Sequence, residues 1–158
     1  MLKNNKKYDK IKNKKEECRD MKALARYGKA FGGYRMIEVE KPVCGPEDVV
    51  VEIKAAAICG ADMKHFQVEN GSEEFNSIRG HEFSGQIVEV GEKVSDWKVG
   101  QRVVSDNTAH VCGVCPACER GDFLCCEQKR NLGLDGNTWG GGFTKYCLIP
   151  GEILRIHR

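Results

Sequence analysis

Five of the nine cysteines in this chain lie within one stretch of fifteen residues, at positions 112–126. Four of them follow the spacing C-x2-C-x2-C-x7-C: Cys112, Cys115, Cys118 and Cys126. Short turns can aim three of these sulfurs at one point while a brief loop returns the fourth. Four thiolates that converge in this way form a tetrahedral zinc site. The spacing therefore predicts a zinc-binding lobe at residues 106–130, with Cys125 as a spare thiol.

Two other uses of these cysteines are weaker. A disulfide framework does not suit an odd cysteine count, the absence of a visible secretory signal, or C-x2-C neighbours, which rarely bridge. The first three positions also match the start of a ferredoxin iron–sulfur motif, whose fourth ligand would fall at Asp122 and be followed by proline. Asp122 and Phe123 stand there instead, so zinc is favoured over an iron–sulfur cluster.

The composition indicates one globular domain without a membrane span. The chain has 158 residues, 41% of them hydrophobic and 30% charged, and no apolar run near the ~20 residues that a transmembrane helix needs. Unpaired cysteines indicate a reducing, cytoplasmic setting. The net charge of +2 includes eight Lys or Arg and four Asp or Glu within residues 1–20. Because the remainder has no basic face, we expect no nucleic-acid partner and no membrane partner.

Residues 1–20 are rich in Lys and Asn and show no helical stripe, which predicts a disordered basic extension. Met21 begins a run that reads as a fresh start, so one hypothesis is that native translation begins there. Residues 21–158 are then the folded domain.

From Met21 onward, short apolar runs separated by Gly and Pro predict a mostly β fold with short helices. The strongest strand spans residues 49–58, where the odd positions are apolar and the even ones include Glu52 and Lys54. Continuing this alternation places Cys59 at the end of the buried face. A short helical turn is expected at 61–66. Further strands are expected at residues 22–27, 34–39, 83–90, 102–105 and 143–149.

Cys59 and His81 form a second candidate site. Each is expected at the end of a strand's buried face and beside a glycine, which is how rigid elements present metal ligands into a cleft. Taken singly, each residue is more often a core side chain than a ligand. Asp62 and Glu82 strengthen the metal interpretation, because a metal-bound histidine usually donates its other ring N–H to a carboxylate. Either acid can serve on this evidence.

Five ordered motifs resemble the N-terminal domain of the zinc-dependent medium-chain alcohol and polyol dehydrogenases. The resemblance covers residues 21–158. The motifs are Cys59-Gly60-Ala61-Asp62, Gly80-His81-Glu82, Val99-Gly100-Gln101-Arg102-Val103, the four spaced cysteines, and Gly141-Gly142-Phe143-Thr144-Lys145-Tyr146.

The resemblance implies a GroES-like, partly open β-barrel with two zinc sites. The four spaced cysteines match the structural site, and Cys59 and His81 match ligands of the catalytic zinc. Glu82 matches the acid that lies beside the metal or enters its ligand shell, and Asp62 matches the hydrogen-bond partner of the histidine. The implied substrate is a small alcohol or polyol, and the implied cofactor is NAD or NADP. Such enzymes are homo-oligomers.

The sequence departs from this family in several ways. It ends before the segment that supplies the remaining catalytic-zinc ligand in this family, and it contains no G-x-G-x-x-G fingerprint, so we expect these 158 residues to lack the Rossmann domain. We therefore expect a fragment that is inactive alone; the alternative is a non-enzymatic, zinc-stabilised binding module. Ala61 replaces the Ser or Thr that relays a proton in many relatives, and His65 lies one position from the usual histidine. Gly60 after the ligand cysteine favours polyols as substrates.

The other reactive or aromatic residues are expected to have lesser roles. Cys44 and Cys147 are expected to pack, as is Trp97, while Cys18 and His157 are expected to have no function. Two further side chains are candidates for the pocket wall: His110 and Trp139.

Overall fold

The computed structural model describes residues 21–26, 32–67, 77–133 and 140–152, and within these ranges most regular structure is β-strand. The strands are β1 (Met21–Arg26), β2 (Tyr34–Val39), β3 (Asp48–Ala57), β4 (Ser77–Ile78), β5 (Glu82–Val90), β6 (Arg102–Val104), β7 (Thr108–His110), β8 (Arg130–Asn131) and β9 (Tyr146–Pro150). The helices are α1 (Gly60–Gln67) and α2 (Pro116–Glu119), with a 3-10 turn at Phe123–Cys125. The mostly β prediction is confirmed.

The strands form three sheets with antiparallel pairing. The largest has the order β6-β5-β3-β9, a three-stranded sheet has the order β2-β1-β4, and β7 pairs with β8. The predicted first hairpin is present as β1 and β2, with Met21 opposite Val39 and Arg26 opposite Tyr34. The sheet of β3 and β5 leads into both segments that carry Cys59 and His81, so the fold brings these two segments together.

The hydrophobic core lies on one face of the four-stranded sheet. Its largest fully buried side chains include Ile87 of β5 and Ile149 of β9, and Trp97 packs against the cluster as predicted. Burying each side chain of this size contributes about 1.5–3 kcal/mol. The core therefore fixes β3 and β5, whose ends position the candidate site.

The second half of β3 differs from the prediction. Val49 and Val51 are fully buried, but Ala55 and Ala57 are exposed, although they belong to the same alternating set. The register with β5 shifts between Ile53 and Ala55, and β9 pairs with β3 only up to residue 52. The strand thus leaves the covered part of the sheet, and the buried face does not continue to Cys59 as the alternation predicted.

The last strand begins later than predicted, at Tyr146 rather than at Phe143. Instead, the backbone N–H of Phe143 donates to the carbonyl oxygen of Arg79, and the N–H of Leu24 donates to that of Phe143. No helix in the described ranges is long and apolar enough to cross a membrane. The predictions for residues 1–20, including Cys18, and for Trp139 and His157 lie outside the described residues.

Candidate metal centres

The cysteine lobe, which we define as residues 112–126, is built from tight turns. Gly113 and Gly121 have φ values of 73° and 79°, in the left-handed region that glycine adopts without strain. Between them, Pro116 occupies the first turn of α2, where its fixed φ suits a helix start. These turns are the ones that the sequence predicted around the thiols, and they bring the four predicted cysteines together.

The four sulfurs of the lobe lie at the separations that a tetrahedral site requires. All four are within 4.8 Å of one another, and Sγ of Cys112 lies 3.9 Å from that of Cys118 and 3.6 Å from that of Cys126. Zinc–sulfur bonds of about 2.3 Å at tetrahedral angles place neighbouring sulfurs about 3.8 Å apart. The donor set and its spacing therefore fit zinc. Cys125 is exposed and stands outside the group.

The environment shifts the pKa values of three of these thiols in different directions. A backbone N–H bond from Cys118 lowers the pKa of Cys115 to about 6, and one from Cys112 lowers the pKa of Cys126. Burial, by contrast, raises the pKa of Cys118 to about 12. Four thiolates cannot share so small a space without a cation, and a divalent metal supplies the compensating charge.

The second cluster, the Cys–Asp–His centre, consists of Cys59, Asp62 and His81, whose possible ligand atoms also lie within 4.8 Å of one another. Sγ of Cys59 is 3.1 Å from Nε2 of His81. Zinc bonds of about 2.3 Å to sulfur and 2.0 Å to nitrogen separate two such ligands by about 3.5 Å. The thiol and the imidazole are thus close to the spacing of two ligands on one zinc ion.

Asp62 has two roles in this centre. One carboxylate oxygen, Oδ2, accepts a 3.0 Å hydrogen bond from the backbone N–H of Cys59, which is the residue before α1. An acid in the third helical position that reaches back in this way stabilises the helix start. The other oxygen, Oδ1, lies 4.0 Å from Nδ1 of His81.

The atoms Oδ1 of Asp62 and Nδ1 of His81 are both buried, and neither has a hydrogen-bond partner in the described part of the chain. Buried polar atoms without partners are rare and indicate a missing ligand or a contact that tightens on binding. A metal on Nε2 makes Nδ1 a donor, and Asp62 lies where it would accept that proton. The residues of this centre therefore fit a bound zinc.

His81 is held in place by the backbone on both sides. The hydroxyl of Ser105 donates a 2.7 Å hydrogen bond to the carbonyl oxygen of His81. Gly80 has φ +94°, and a Cβ atom there would lie 2.7 Å from the ring of Phe143. Only glycine fits this position, which explains the Gly-His pair in the sequence.

The structure separates the two acids that the sequence left equivalent. Asp62 is only 4% exposed and faces His81, whereas Glu82 is exposed and lies outside the cluster. Glu82 is the first residue of β5, whereas His81 lies just before the strand. Glu82 instead lines an open groove of about 410 Å³ with Ala57 and Val104.

The remaining predicted residues lie around these centres without joining them. Ala61 is exposed, and His65 is half-buried with its pKa lowered by burial and by Arg79. Nδ1 of His110 is 3.5 Å from Oε1 of Glu152, outside both clusters. Cys44 is half-buried and Cys147 is buried in the core, which agrees with the packing roles predicted for them.

Sequence reasoning missed a buried polar row beside the Cys–Asp–His centre. Tyr34, Arg26 and Ser77 lie opposite one another across β2, β1 and β4, and Arg26 is only 3% exposed. The hydroxyls of Tyr34 and Ser77 are buried and have no hydrogen-bond partner among the described residues. Burial raises the pKa of Tyr34, and Arg79 and Asp62 are among the charges that act on it. The strands predicted at residues 22–27 and 34–39 could have indicated part of this row, since residues opposite each other in paired strands lie on the same face.

The fold and the two clusters define a class of protein: a mostly β metal-binding domain with one four-thiol site and one mixed thiol, carboxylate and imidazole site. Residues 45–157 match the family model described as the alcohol dehydrogenase GroES-like domain. The chain therefore belongs to the alcohol dehydrogenase GroES-like domain family. This confirms both the resemblance and the fold class that the sequence predicted.

Individual relatives agree with this assignment. The chain is 80% identical over 138 residues to the uncharacterized zinc-type alcohol dehydrogenase-like protein YdjL of Escherichia coli K12, a match that covers 87% of this chain and 38% of YdjL. It is 35% identical over 134 residues to sorbitol dehydrogenase of Halalkalibacterium halodurans, covering 85% of this chain and 38% of that enzyme.

Among solved structures, the chain resembles an alcohol dehydrogenase of Escherichia coli CFT073 complexed with NADH. The TM-score is 0.72 at 32% identity, and the match covers 85% of this chain and 37% of the other. The chain thus spans less than two-fifths of the length of each of these three relatives.

Proposed function

We propose that this chain is the N-terminal catalytic domain of a zinc-dependent, NAD(P)-linked alcohol or polyol dehydrogenase. The observation that carries the proposal is the convergence of Cys59, Asp62 and His81, with Sγ and Nε2 at 3.1 Å, in a chain of this family. The zinc-type and sorbitol dehydrogenase relatives support the reaction class. They also disfavour a non-enzymatic binding module.

In the proposed site, Cys59 and His81 hold the catalytic zinc. When bound, this zinc would act as a Lewis acid on the oxygen of the substrate alcohol or carbonyl. With a metal on Nε2, Asp62 would accept the Nδ1 proton of His81 by closing the present separation of 4.0 Å, and would so fix the tautomer in which Nε2 is the ligand. Glu82 is exposed and lies outside this cluster in the structure, and it is proposed as the acid that enters the ligand shell when the metal binds.

The proton relay of the proposed enzyme does not run through residue 61. Ala61 has no hydroxyl, and its side chain is exposed at the start of α1. The proton of the substrate alcohol therefore leaves through water, through Glu82 or through a second hydroxyl of the substrate. This arrangement favours polyols, and Ala61→Ser is expected to change turnover or its pH profile.

The cysteine lobe is proposed as the structural zinc site, because its four ligands leave no open position for substrate. NAD or NADP would bind to the part of the relatives' length that this chain does not span. We accordingly propose that the 158-residue chain is inactive alone, and that the whole enzyme is a cytoplasmic homo-oligomer. Sedimentation of the whole protein tests its oligomeric state.

The test is a dehydrogenase assay on the whole protein that contains this domain, with NAD and NADP against a panel of alcohols and polyols. We expect oxidation of at least one polyol, and a loss of about 100-fold or more in His81→Ala because a zinc ligand is removed. Cys125→Ser is the control and should retain activity, since Cys125 is exposed and lies outside both clusters. No oxidation of any alcohol, or equal activity in the two variants, would contradict the proposal.

A further inference from the structure

A buried arginine joins the segment that carries His81 to residues 130–133, which follow the cysteine lobe and which we call the exit of the lobe. Arg79 lies two residues before His81 and is only 4% exposed. Its Nη1 donates a 3.1 Å hydrogen bond to the carbonyl oxygen of Gly133, across 54 residues of chain. Arginine is almost never buried to this degree unless it is paired, so this hydrogen bond belongs to the folded core of the site.

Gly133 is a fixed anchor for this bond. Leu132, the residue before it, is 1% exposed and belongs to the hydrophobic core. The backbone N–H of Leu132 also donates a 2.9 Å hydrogen bond to the carbonyl oxygen of Asn107. Just upstream, β8 pairs with β7, which places the exit of the lobe against the rest of the domain.

The two backbone segments approach each other through a pair of glycines. A Cβ atom on Gly133 would lie 2.6 Å from the carbonyl oxygen of Gly80 and 3.0 Å from its nitrogen. Real Cβ atoms do not come that close to backbone atoms, so any larger residue at 133 would push the segments apart. Only this close approach brings the carbonyl oxygen of Gly133 within reach of Arg79.

We propose that Arg79 is a positioning residue of the Cys–Asp–His centre. By donating a hydrogen bond to the carbonyl oxygen of Gly133, Arg79 holds the backbone of residues 79–81 against the exit of the cysteine lobe, and this fixes the position of the His81 ring. The inference rests on the metal role proposed for this centre. Metal ligands must be held within about 0.5 Å of the productive geometry. Backbone hydrogen bonds from Phe143 to Arg79 and from Gly142 to Gly80 also hold this segment, and the arginine side chain adds a bond to a different part of the chain.

Cobalt(II) is a suitable probe, because it occupies zinc sites and its visible spectrum reports the geometry of the ligands. The chain, with zinc retained in the lobe, is titrated with cobalt in wild-type and variant forms. Arg79→Met removes the hydrogen-bond donors but keeps a side chain of similar length, and Arg79→Lys keeps a charge and a donor. Gly133→Ala disturbs the acceptor end of the hydrogen bond between Arg79 and Gly133. Gly100→Ala is the matched control, because Gly100 also has a positive φ, +94°, but a Cβ there meets nothing within 4 Å.

We expect Arg79→Met and Gly133→Ala to weaken cobalt binding by about 10–100-fold and to shift the thiolate-to-cobalt absorption of Cys59. Arg79→Lys should lie closer to wild type. Gly100→Ala should stay within about twofold of wild type, since it is remote and carries only backbone strain. Unchanged cobalt binding in Arg79→Met, or equal weakening in Gly100→Ala, would overturn the inference.

A second measurement separates this inference from the metal proposal. The ring resonances of His81 are recorded by NMR in the histidine-labelled chain without cobalt, with His110 as an internal reference. Arg79→Met should shift the His81 resonances and leave those of His110 unchanged. Unchanged His81 resonances would refute the positioning role of Arg79. A wild-type chain that takes up no cobalt beyond the lobe contradicts the metal proposal instead, and the NMR result then decides the role of Arg79.

Discussion

Removal of zinc from the cysteine lobe should unfold that lobe while the β sheets remain folded. The conformational entropy lost in ordering the backbone of the fifteen residues at 112–126 opposes folding of the lobe. Against this cost the lobe buries few apolar side chains: Ala117, Cys118 and Cys126 are its buried hydrophobic members, and none belongs to the hydrophobic core cluster. A structural zinc contributes about 10–16 kcal/mol on binding, which is the largest favourable contribution available to the lobe.

The assay is hydrogen–deuterium exchange with mass spectrometry, on the zinc-loaded chain and on the chain after strong chelation. Peptides from the lobe should lose protection on chelation, whereas peptides from β3 and β5 should keep theirs, because the core around Ile87 contains no lobe residue. Cys126→Ser should reproduce the effect of chelation. Cys125→Ser is the matched control and should behave as wild type, since Cys125 lies outside the sulfur cluster.

Two results would refute this reasoning. Protection of the lobe in the metal-free chain would mean that packing holds it. Loss of protection in β5 together with the lobe would mean that the metal supports the whole domain and that the lobe is not a separate unit.

Three further predictions concern single side chains. Asp62→Asn should weaken cobalt binding at the Cys–Asp–His centre about 10–100-fold, as measured by visible absorption, because the amide loses the negative charge and has only one acceptor oxygen for Cys59 N–H and the histidine proton; unchanged binding would remove Asp62 from the site. Ile87→Ala should lower the free energy of unfolding, measured in urea, by about 2–5 kcal/mol, because Ile87 is fully buried. Val104→Ala is its control and should change this free energy by less than about 0.5 kcal/mol, because Val104 is 69% exposed. Burial raises the pKa of Cys147 from 9.0 to about 12, so iodoacetamide at pH 8 should label the exposed Cys125 and spare Cys147. The contribution of the Cys147 thiol to stability should fall as the pH rises from 9 towards 12. Labelling of Cys147 in the native protein would contradict its burial.

The parts of the site that depend on local spacing could be predicted from the sequence. The four lobe cysteines converge as expected, because turns at Gly113 and Gly121 act over a few residues. The pairing of Cys59 with His81 was also foreseen, since both follow or precede strongly patterned strands. Local rules were sufficient for the lobe, whereas the approach of Cys59 to His81 also needs the pairing of β3 with β5, and the alternation that predicted Cys59 on the buried face fails from Ala55 onward.

Features that depend on long-range pairing could not be predicted. The buried guanidinium of Arg79 is stabilised by a carbonyl 54 residues away, and nothing in the neighbouring sequence indicates that contact. The exposed end of β3 follows from a register shift with β5 and from the short reach of β9. Asp62 and Glu82 were not separated either, because the burial of Asp62 beside His81 depends on how α1 lies against the segment before β5.

The most direct test of the account is the metal content of the purified chain, measured by mass spectrometry before and after mild chelation, together with a visible spectrum. The account predicts about one zinc that survives chelation in the lobe and a second, weaker site at the Cys–Asp–His centre, because four-thiolate sites bind more firmly than partial ones. Iron with a brown absorbance, or a folded chain without any metal, would contradict the account.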